Sequence, residues 1–195
     1  MKEQIILKLR ESAELKLKLA KESIREIEEA ADMVYKTLKA GGKILIFGNG
    51  GSAADAQHIA AEFVNRYQKD RRALPAIALT TDSSVITSIA NDSSFDNVFS
   101  RQIEALGRKG DIAWGISTSG RSANVVKALE LAKSLGLKTL GFTGGDGGKV
   151  KKVADLCLVI PTASTPRIQE LHITVAHIIC ELVEDLFLNK KEPSK

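Results

Sequence analysis

The sequence predicts an α/β fold: a three-layer sandwich in which a five-stranded parallel sheet is covered by helices on both faces. From Gly41 onward, short apolar segments alternate with longer segments of helical periodicity, the order expected of strands joined by helices. The short segments are apolar throughout, as in strands that are buried on both faces. At 195 residues, the chain is long enough for one well-filled core of this kind, and a second full domain is not expected.

Five apolar segments are the predicted strands, and they span residues 43–47, 76–80, 112–117, 139–143 and 156–160. The predicted helices span residues 52–67, 83–90, 97–106, 122–135, 148–154 and 166–188. Pro166 suits the first turn of the last helix, where a missing N–H breaks no intrahelical hydrogen bond. Together these elements make up a domain over residues 41–189, followed by a flexible tail over residues 190–195.

Residues 1–40 predict a helical extension in front of this domain. They contain no Gly or Pro, and their apolar residues recur in steps of three and four from Ile6 to Leu38, the spacing of one helical face. Ser23 and Glu26 match a capping box, so we expect two helices with a break at residues 21–23. The apolar face is longer than one small core needs, and we therefore expect it to pack against other subunits.

Composition narrows the class of protein and its partners. The net charge is +4 and aromatic residues make up 5% of the chain, so it lacks the basic stripe and the stacking surfaces typical of nucleic-acid binding. No apolar run approaches the roughly 20 residues that span a bilayer, and the N-terminus lacks the pattern of a signal peptide. Cys157 and Cys180 have no framework spacing and are expected to be buried thiols. We expect a cytoplasmic protein without nucleic-acid or membrane partners.

The first glycine-rich turn follows the first strand and reads Gly48-Asn49-Gly50-Gly51-Ser52. Free backbone N–H groups and the positive end of the helix dipole make such a turn an anion site. The turn also matches the start of a dinucleotide-binding fingerprint, but that motif requires an acidic residue at the end of the next strand. Here the nearby acid, Asp70, lies in a polar loop before that strand, so no nucleotide cofactor is expected. A plain tight turn is the remaining alternative.

The second loop also lies between a strand and a helix, and it reads Ser117-Thr118-Ser119-Gly120-Arg121-Ser122. A helix N-cap needs a single Ser or Thr, whereas this loop has four hydroxyls together with free backbone N–H groups, a donor set suited to a phosphate. It contains no lysine and is therefore not a nucleoside-triphosphate P-loop. A third loop, residues 144–148, is rich in glycine, and there a structural turn is the better explanation.

His58 and Glu62 form a candidate acid–base or metal pair. They lie four residues apart in the helix that follows the first glycine-rich turn, so both side chains leave one face, about 40° apart. An anion site and such a pair on one helix suggest that a phosphorylated small molecule is held for chemistry. Each of these polar side chains could instead be a satisfied interior group or a subunit contact.

Three segments together resemble the sugar isomerase (SIS) domain family, and within it the phosphoheptose isomerase branch. They are Gly48 to Ser52, Ser117 to Ser122, and Arg167-Ile168-Gln169-Glu170. The resemblance covers nearly the whole chain, including the N-terminal helices. It implies a flavodoxin-like SIS sandwich, a small-molecule sugar phosphate as partner, and a homotetramer with active sites near the subunit interfaces.

The resemblance also implies roles for individual residues. The implied substrate ligands, with the phosphate in the serine-rich loop, are Asn49, Gly50, Gly51, Ser52, Glu62, Asn91, Asp92, Ser117, Thr118, Ser119, Ser122 and Gln169. The implied ligands of one zinc ion per subunit are His58, Glu62, Gln169 and His177. Glu62 and His177 are the implied catalytic acid–base pair. Gln169 and His177 lie two turns apart in the last helix, about 80° around its axis, and zinc accepts imidazole and carboxylate readily. The third histidine, His172, projects from that helix well away from them.

The implied reaction is aldose–ketose isomerisation of D-sedoheptulose 7-phosphate to D-glycero-D-manno-heptose 7-phosphate through an enediol, for cell-surface heptose synthesis. Glu62 would move a proton between C1 and C2, and His177 would move one between O1 and O2. Metal ligation would compete for the same lone pairs.

The alternative is a non-catalytic SIS protein, either a scaffold that binds the bacterial replication initiator or a sugar-phosphate-sensing module. His177 discriminates between them, since a scaffold has no use for an imidazole beside Gln169.

Overall fold

The computed structural model describes residues 1–189, and the tail predicted over residues 190–195 lies outside this range. The helices are α1 (Lys2–Glu22), α2 (Ile24–Lys39), α3 (Gly51–Val64), α4 (Ser83–Asp92), α5 (Ser100–Leu106), α6 (Ala123–Ser134), α7 (Val150–Val153) and α8 (Thr165–Asn189), with a 3₁₀ turn at Phe95–Asn97. The strands are β1 (Ile44–Gly48), β2 (Ala76–Ala78), β3 (Ile112–Ser117), β4 (Lys138–Gly144) and β5 (Leu156–Ile160).

The five strands form one parallel sheet in the order β2-β1-β3-β4-β5. β1 lies between β2 and β3, so that Ile44 pairs with Ala76 on one side and with Ile112 on the other. From β1 the chain moves outward to β2 and then returns past β1 to β3. This makes the gap between β1 and β3 a topological switch point, where the loops at the carboxyl ends of the strands diverge. The predicted five-stranded parallel α/β sandwich is confirmed.

The side chains of the strands point alternately into two hydrophobic cores, one on each face of the sheet. Ile46 and Trp114 pack with residues of α2, α3 and α8, whereas Phe47 and Ala113 pack with residues of α5 and α6. A strand buried on both faces has to be apolar at every position, which explains the continuous apolar runs in the sequence. α3 and α8 both begin at the carboxyl edge of the sheet and pack against each other on one face.

The N-terminal extension forms two helices, as predicted, but without the predicted capping box. The side chain of Ser23 makes no cap hydrogen bond. Instead Ser23 N donates to Leu19 O (3.0 Å) and Ile27 N donates to Ser23 O (3.1 Å), so backbone hydrogen bonds continue across the break and no side-chain cap is needed. α1 leaves Leu9 and Leu17 68% and 65% exposed. Packing of this apolar face against other subunits stays a prediction.

Five predicted elements are shorter in the structure, and one of them, α6, is shorter by a single residue at each end. β2 ends at Ala78, because the chain turns at residues 79–80. α3 ends at Val64, and α5 begins at Ser100 after the 3₁₀ turn. The helix predicted over residues 148–154 is the single turn α7, because Gly147 and Gly148 have φ values of 83° and 54°, which an α-helix cannot include.

The two cysteines are free thiols. Cys180 is buried and Cys157 is half-buried. Burial raises the pKa of Cys157 to about 12 and raises the pKa of Cys180 as well, so both thiols are protonated and weakly nucleophilic at neutral pH. No helix within residues 1–189 is both long enough and apolar enough to cross a membrane.

Candidate functional site

The loops that follow β1 and β3 lie side by side at the switch point. β1 leads to α3 on one face of the sheet and β3 leads to α6 on the other, and a crevice between diverging loops is where open α/β sheets bind ligands. Asn49 and Asn124 join the two loops, since each side-chain amide donates to the other across 2.9 Å. The predicted sugar-binding and phosphate-binding loops are therefore neighbours.

The serine-rich loop after β3 is held in a compact shape by its own contacts. The hydroxyls of Ser117 and Ser122 lie 3.0 Å apart. Gly120 has a φ of 64°, and its carbonyl accepts a hydrogen bond from Val150 N (3.0 Å). Ser122 occupies the N-cap position of α6, but its side chain makes no cap hydrogen bond. Its hydroxyl therefore faces the loop instead of closing the helix.

The third glycine-rich loop supports the serine-rich loop, which agrees with its prediction as a structural turn. Gly144 N donates to Thr118 O (3.0 Å), and the Arg121 guanidinium pairs with Asp146 at 2.5 Å. This pairing directs the charge of Arg121 toward the third loop. Thr118 is half-buried and Ser119 is exposed, so the loop presents hydroxyls at different depths.

The first glycine-rich turn lies directly against the start of α8. Gly50 has a φ of 55°, and Ser52, which is 3% exposed, donates its N–H to Asn49 O (3.0 Å). A β-carbon at Gly51 would collide with the side-chain amide of Gln169. The present position of the Gln169 side chain therefore depends on the missing β-carbon at Gly51, and Gln169 is placed beside the first turn.

His58, Glu62 and His177 lie together where α3 packs against α8. His58 Nε2 lies 2.9 Å from His177 Nε2 and 3.2 Å from Glu62 Oε1. One potential ligand atom from each of the three residues lies within 4.8 Å of the others. The side chains of His58 and Glu62 are 49% and 21% exposed, so the cluster is open to solvent or to a ligand.

The surroundings of His177 favour its neutral form. Burial lowers the pKa of His177, the nearby His58 lowers it further, and Glu62 opposes both effects only in part. The two imidazoles are tilted by 51° with their centres 5.1 Å apart. A neutral imidazole keeps a lone pair for a metal ion or a proton, so the cluster has the chemistry of a metal site or of an acid–base site.

Other predicted site residues lie apart from this cluster. Gln169 is eight residues before His177, about 12 Å along α8, and contacts the first turn instead. Asn91 and Asp92 lie exposed at the end of α4, where Asn91 Nδ2 donates to Asp92 Oδ1 (2.8 Å). The roles predicted for these three residues stay predictions.

The structure adds two residues that sequence reasoning missed. Asp55 lies one turn before His58 on α3, and burial raises its pKa while His58 lowers it in part. The sequence alone could have identified Asp55, because it lies three residues before His58 and residues three apart share a helical face. Tyr67 packs its ring 5.4 Å from that of His177. It lies in the loop after α3, and no spacing rule points to that contact.

Comparison with known proteins places this architecture in a family. A model of the SIS domain matches residues 9–144. The phosphoheptose isomerase of Thermodesulfovibrio yellowstonii is 55% identical over 176 residues, covering 90% of this chain and 88% of that protein. The phosphoheptose isomerase of Clostridium acetobutylicum is 49% identical over 193 residues, covering 98% of each chain.

A solved structure agrees at the level of the fold. Phosphoheptose isomerase GmhA from Neisseria gonorrhoeae matches with a TM-score of 0.89 at 43% identity, covering 94% of this chain and 98% of that chain. Sequence and structure thus agree over nearly the whole length. The chain belongs to the SIS domain family and, within it, to the phosphoheptose isomerases.

Proposed function

We propose that this isomerase converts D-sedoheptulose 7-phosphate to D-glycero-D-manno-heptose 7-phosphate in the cytoplasm, for cell-surface heptose synthesis. The observation that carries the proposal is the cluster of His58, Glu62 and His177, whose potential ligand atoms lie within 4.8 Å of one another. The cluster supplies the groups that an enediol mechanism needs, and the names of the relatives point to a phosphorylated heptose.

The cluster suits a zinc ion in its donors and in their spacing. Zinc binds imidazole nitrogen and carboxylate oxygen at roughly 2.0–2.2 Å, so two ligands of a tetrahedral site lie about 3.3 Å apart. The 3.2 Å between His58 Nε2 and Glu62 Oε1 matches this value, and the 2.9 Å between the two histidines is slightly shorter. When bound, zinc would polarise O1 and O2 of the sugar and stabilise the charge of the enediolate.

Gln169 is the fourth proposed zinc ligand and also a proposed substrate ligand. Its side chain lies against Gly51 in the same subunit, which supports the role in binding the substrate. Ligation of a metal ion at the cluster requires either a movement of this side chain or the Gln169 of another subunit. A homotetramer with active sites near its interfaces would bring the Gln169 of another subunit to the cluster.

The serine-rich loop is the proposed phosphate site. It offers the hydroxyls of Ser117, Thr118, Ser119 and Ser122, and it precedes α6, a helix of 12 residues whose N-terminus favours an anion. The first turn and the pair of Asn91 and Asp92 are proposed to hold the sugar hydroxyls. Binding energy gained at the phosphate would hold the distant reacting carbons in place.

The distance from the first glycine-rich turn, which neighbours the phosphate loop through the contact of Asn49 with Asn124, to the cluster suits a long sugar. His58 lies seven residues after Gly51, about 10 Å along α3. The extended chain of a seven-carbon sugar phosphorylated at C7 also spans on the order of 10 Å from C1 to phosphorus, at normal bond lengths. A substrate anchored by its phosphate could therefore place C1 and C2 at the cluster.

Glu62 and His177 are the proposed acid–base groups. Glu62 would take a proton from C1 of the open-chain ketose and return it to C2, and neutral His177 would carry a proton from O1 to O2. Glu62 Oε1 faces His58, so we assign the proton transfer to Oε2. This division between two oxygens lessens the competition between ligation and proton transfer.

The enzyme is favoured over the scaffold and the sensing module that the sequence left open. The relatives over the whole length are named as isomerases. The contact of His177 with His58 gives the histidine a place in a reactive cluster, which a scaffold does not need.

Glu62→Gln tests the proposal, because it keeps the size of the side chain and removes the base. We expect purified wild-type protein with zinc to produce the aldose from sedoheptulose 7-phosphate, and kcat of the variant to fall by roughly 10²- to 10⁴-fold. Glu181→Gln, an exposed change on α8, is the matched control and should be fully active. Normal turnover by Glu62→Gln would contradict the assigned base, and no aldose from the wild type would contradict the assigned substrate.

A further inference from the structure

A buried ion pair joins the two helices that carry the cluster, and the chemistry described above does not use it. The pair consists of Arg71 in the loop after α3 and Glu184 in α8. Their side chains are 3% and 1% exposed, and Arg71 Nε lies 3.3 Å from Glu184 Oε1. A buried ion pair is weak evidence for stability, because desolvation offsets the attraction between the charges. The pair therefore calls for another explanation.

Glu184 holds the loop that follows α3. Its carboxylate accepts hydrogen bonds from the backbone N–H groups of Tyr67 (3.0 Å), Gln68 (2.9 Å) and Lys69 (2.8 Å). Burial favours the protonated acid, but these hydrogen bonds and the charge of Arg71 outweigh it and lower the pKa of Glu184. The carboxylate is therefore ionised at neutral pH, and it attaches the loop to α8 through three backbone donors.

Arg71 holds the carboxyl end of α3. Its Nη2 donates to Glu62 O (2.7 Å) and its Nη1 donates to Phe63 O (2.9 Å). Carbonyls in the last turn of a helix have no partner within the helix, and a positive charge there interacts favourably with the helix dipole. One of the two carbonyls belongs to Glu62, so Arg71 anchors the backbone of the proposed base directly.

The same ion pair is also linked to His177, on the α8 side of the cluster. Glu184 lies seven residues after His177, which is about two turns, so both side chains leave one face of α8. Tyr67, whose N–H is held by Glu184, packs its ring 5.4 Å from the His177 ring. Arg71 thus positions Glu62, and Glu184 positions the loop that packs on His177.

We propose that Arg71 and Glu184 are positioning residues that set the spacing of Glu62 and His177 and thereby the affinity of the cluster for a divalent metal ion. They act through the end of α3 and through Tyr67. Removal of such outer partners typically lowers metal affinity by roughly 10- to 100-fold. The inference rests on the proposed metal centre and adds the residues that keep it in shape.

Titration of the metal-free full chain with Co²⁺, followed by its visible absorption, tests the proposal. Glu184→Gln keeps the shape of the side chain and one acceptor oxygen but removes the charge. We expect its Co²⁺ affinity to be roughly 10- to 100-fold below that of the wild type. In the metal-free protein, amide exchange of residues 67–69 should be faster, because their shared acceptor is weakened.

Asp111→Asn is the matched control. Asp111 is likewise a buried carboxylate, with a side chain 5% exposed, and it accepts from the backbone N–H groups of Lys43 and Arg108 and pairs with the Lys43 ammonium. It lies at the start of β3, on the opposite edge of the sheet from the site loops. We expect this variant to lose thermal stability and to keep the Co²⁺ affinity of the wild type.

A double variant, Arg71→Met with Glu184→Gln, keeps the test valid if the single variant fails to fold. It leaves no unpaired buried charge, so its thermal stability should be closer to that of the wild type, while its Co²⁺ affinity should still be reduced. Wild-type Co²⁺ affinity in a folded Glu184→Gln or double variant would overturn the positioning role. Failure of the wild type itself to bind Co²⁺ would contradict the proposed metal centre, and the positioning role with it.

Discussion

The three histidines of the chain differ in their surroundings. His58 and His177 lie in the solvent-accessible cluster, whereas His172 is 1% exposed. Its Nε2–H donates to Thr143 O (3.1 Å), and its ring packs 5.4 Å from that of Phe142. Burial lowers the pKa of His172 to about 4, so this histidine is neutral near pH 7. Burial thus separates a structural imidazole from the two imidazoles of the proposed site.

The burial of His172 predicts a dependence of stability on pH. In the unfolded chain its pKa is close to 6.5, so below that pH the unfolded state binds a proton that the folded state excludes. We expect the free energy of unfolding to fall by about 3 kcal/mol as the pH drops from 6.5 through 4. Denaturant unfolding of the wild type and of His172→Gln across this range measures the effect.

Carboxylates titrate in both proteins, so the difference in free energy of unfolding between the wild type and His172→Gln reports the titration of His172 alone. That difference should change with pH between 6.5 and 4 and stay constant above 7. A difference that does not vary with pH would show that His172 does not carry the predicted dependence.

α3 and α8 contact each other at two places along their lengths. Near the carboxyl edge of the sheet Gly51 lies against Gln169, and farther along His58 lies against His177. The first contact depends on the absence of a β-carbon. The approach of the helices at the edge therefore influences both the placement of Gln169 and the closure of the cluster.

Gly51→Ala tests this contact. The new methyl group has to displace the end of the flexible Gln169 side chain and no backbone atom, so we expect a change in stability of no more than about 0.5 kcal/mol. Because Gly51 and Gln169 are both proposed substrate ligands, kcat/KM for the sugar phosphate should fall by about tenfold, the effect of losing one hydrogen bond of roughly 1.4 kcal/mol. Steady-state kinetics and thermal unfolding give both quantities.

Gly107→Ala is the control for crowding without a change at the site. A β-carbon there would meet Ile103 O and the Leu137 side chain. It should lower stability and leave kcat/KM unchanged. If Gly51→Ala also left kcat/KM unchanged, the contact of Gly51 with Gln169 would not be needed for substrate binding.

At the scale of the whole molecule, the apolar surface of α1 is the feature that the single chain leaves uncovered. Four of its large apolar residues are more than half exposed: Ile5, Leu7, Leu9 and Leu17. The helix is nevertheless attached to α8, because Ser12 Oγ donates to Glu170 (2.8 Å) and Arg167 donates to Lys8 O (3.1 Å). An interface built on α1 would therefore lie near the first turns of α8, which contain Arg167 and Glu170.

Leu9→Glu combined with Leu17→Glu tests the proposed tetramer. Two charges on the apolar face should disfavour its burial against another subunit, so we expect a smaller species than the wild type in light scattering coupled to gel filtration. Lys16→Glu, a charge change at an exposed position of the same helix, should leave the mass unchanged. A wild-type protein that runs as a monomer, or a double variant of unchanged mass, would contradict this interface.

Most of the fold follows from local patterns in the sequence. Apolar runs such as residues 112–117 predict buried parallel strands, and the break near Ser23 follows from a capping pattern even though the cap itself does not form. Errors arise at the ends of elements. Positive φ at Gly147 and Gly148 shortens α7, and a turn at residues 79–80 ends β2. Neither effect is visible in apolar periodicity.

By itself, the sequence determined the class of fold, the glycine-rich and serine-rich loops that follow β1 and β3 and the pair of His58 and Glu62 on one helix, because turn chemistry and helical spacing act over a few residues. Only the tertiary structure decided that His177, 119 residues away from His58, completes a cluster with that pair while Gln169 lies at the first turn. It also decided that Glu184 holds the loop after α3. These contacts depend on how α3 and α8 pack against each other on one face of the sheet, and packing between segments so far apart in the chain leaves no local pattern in the sequence.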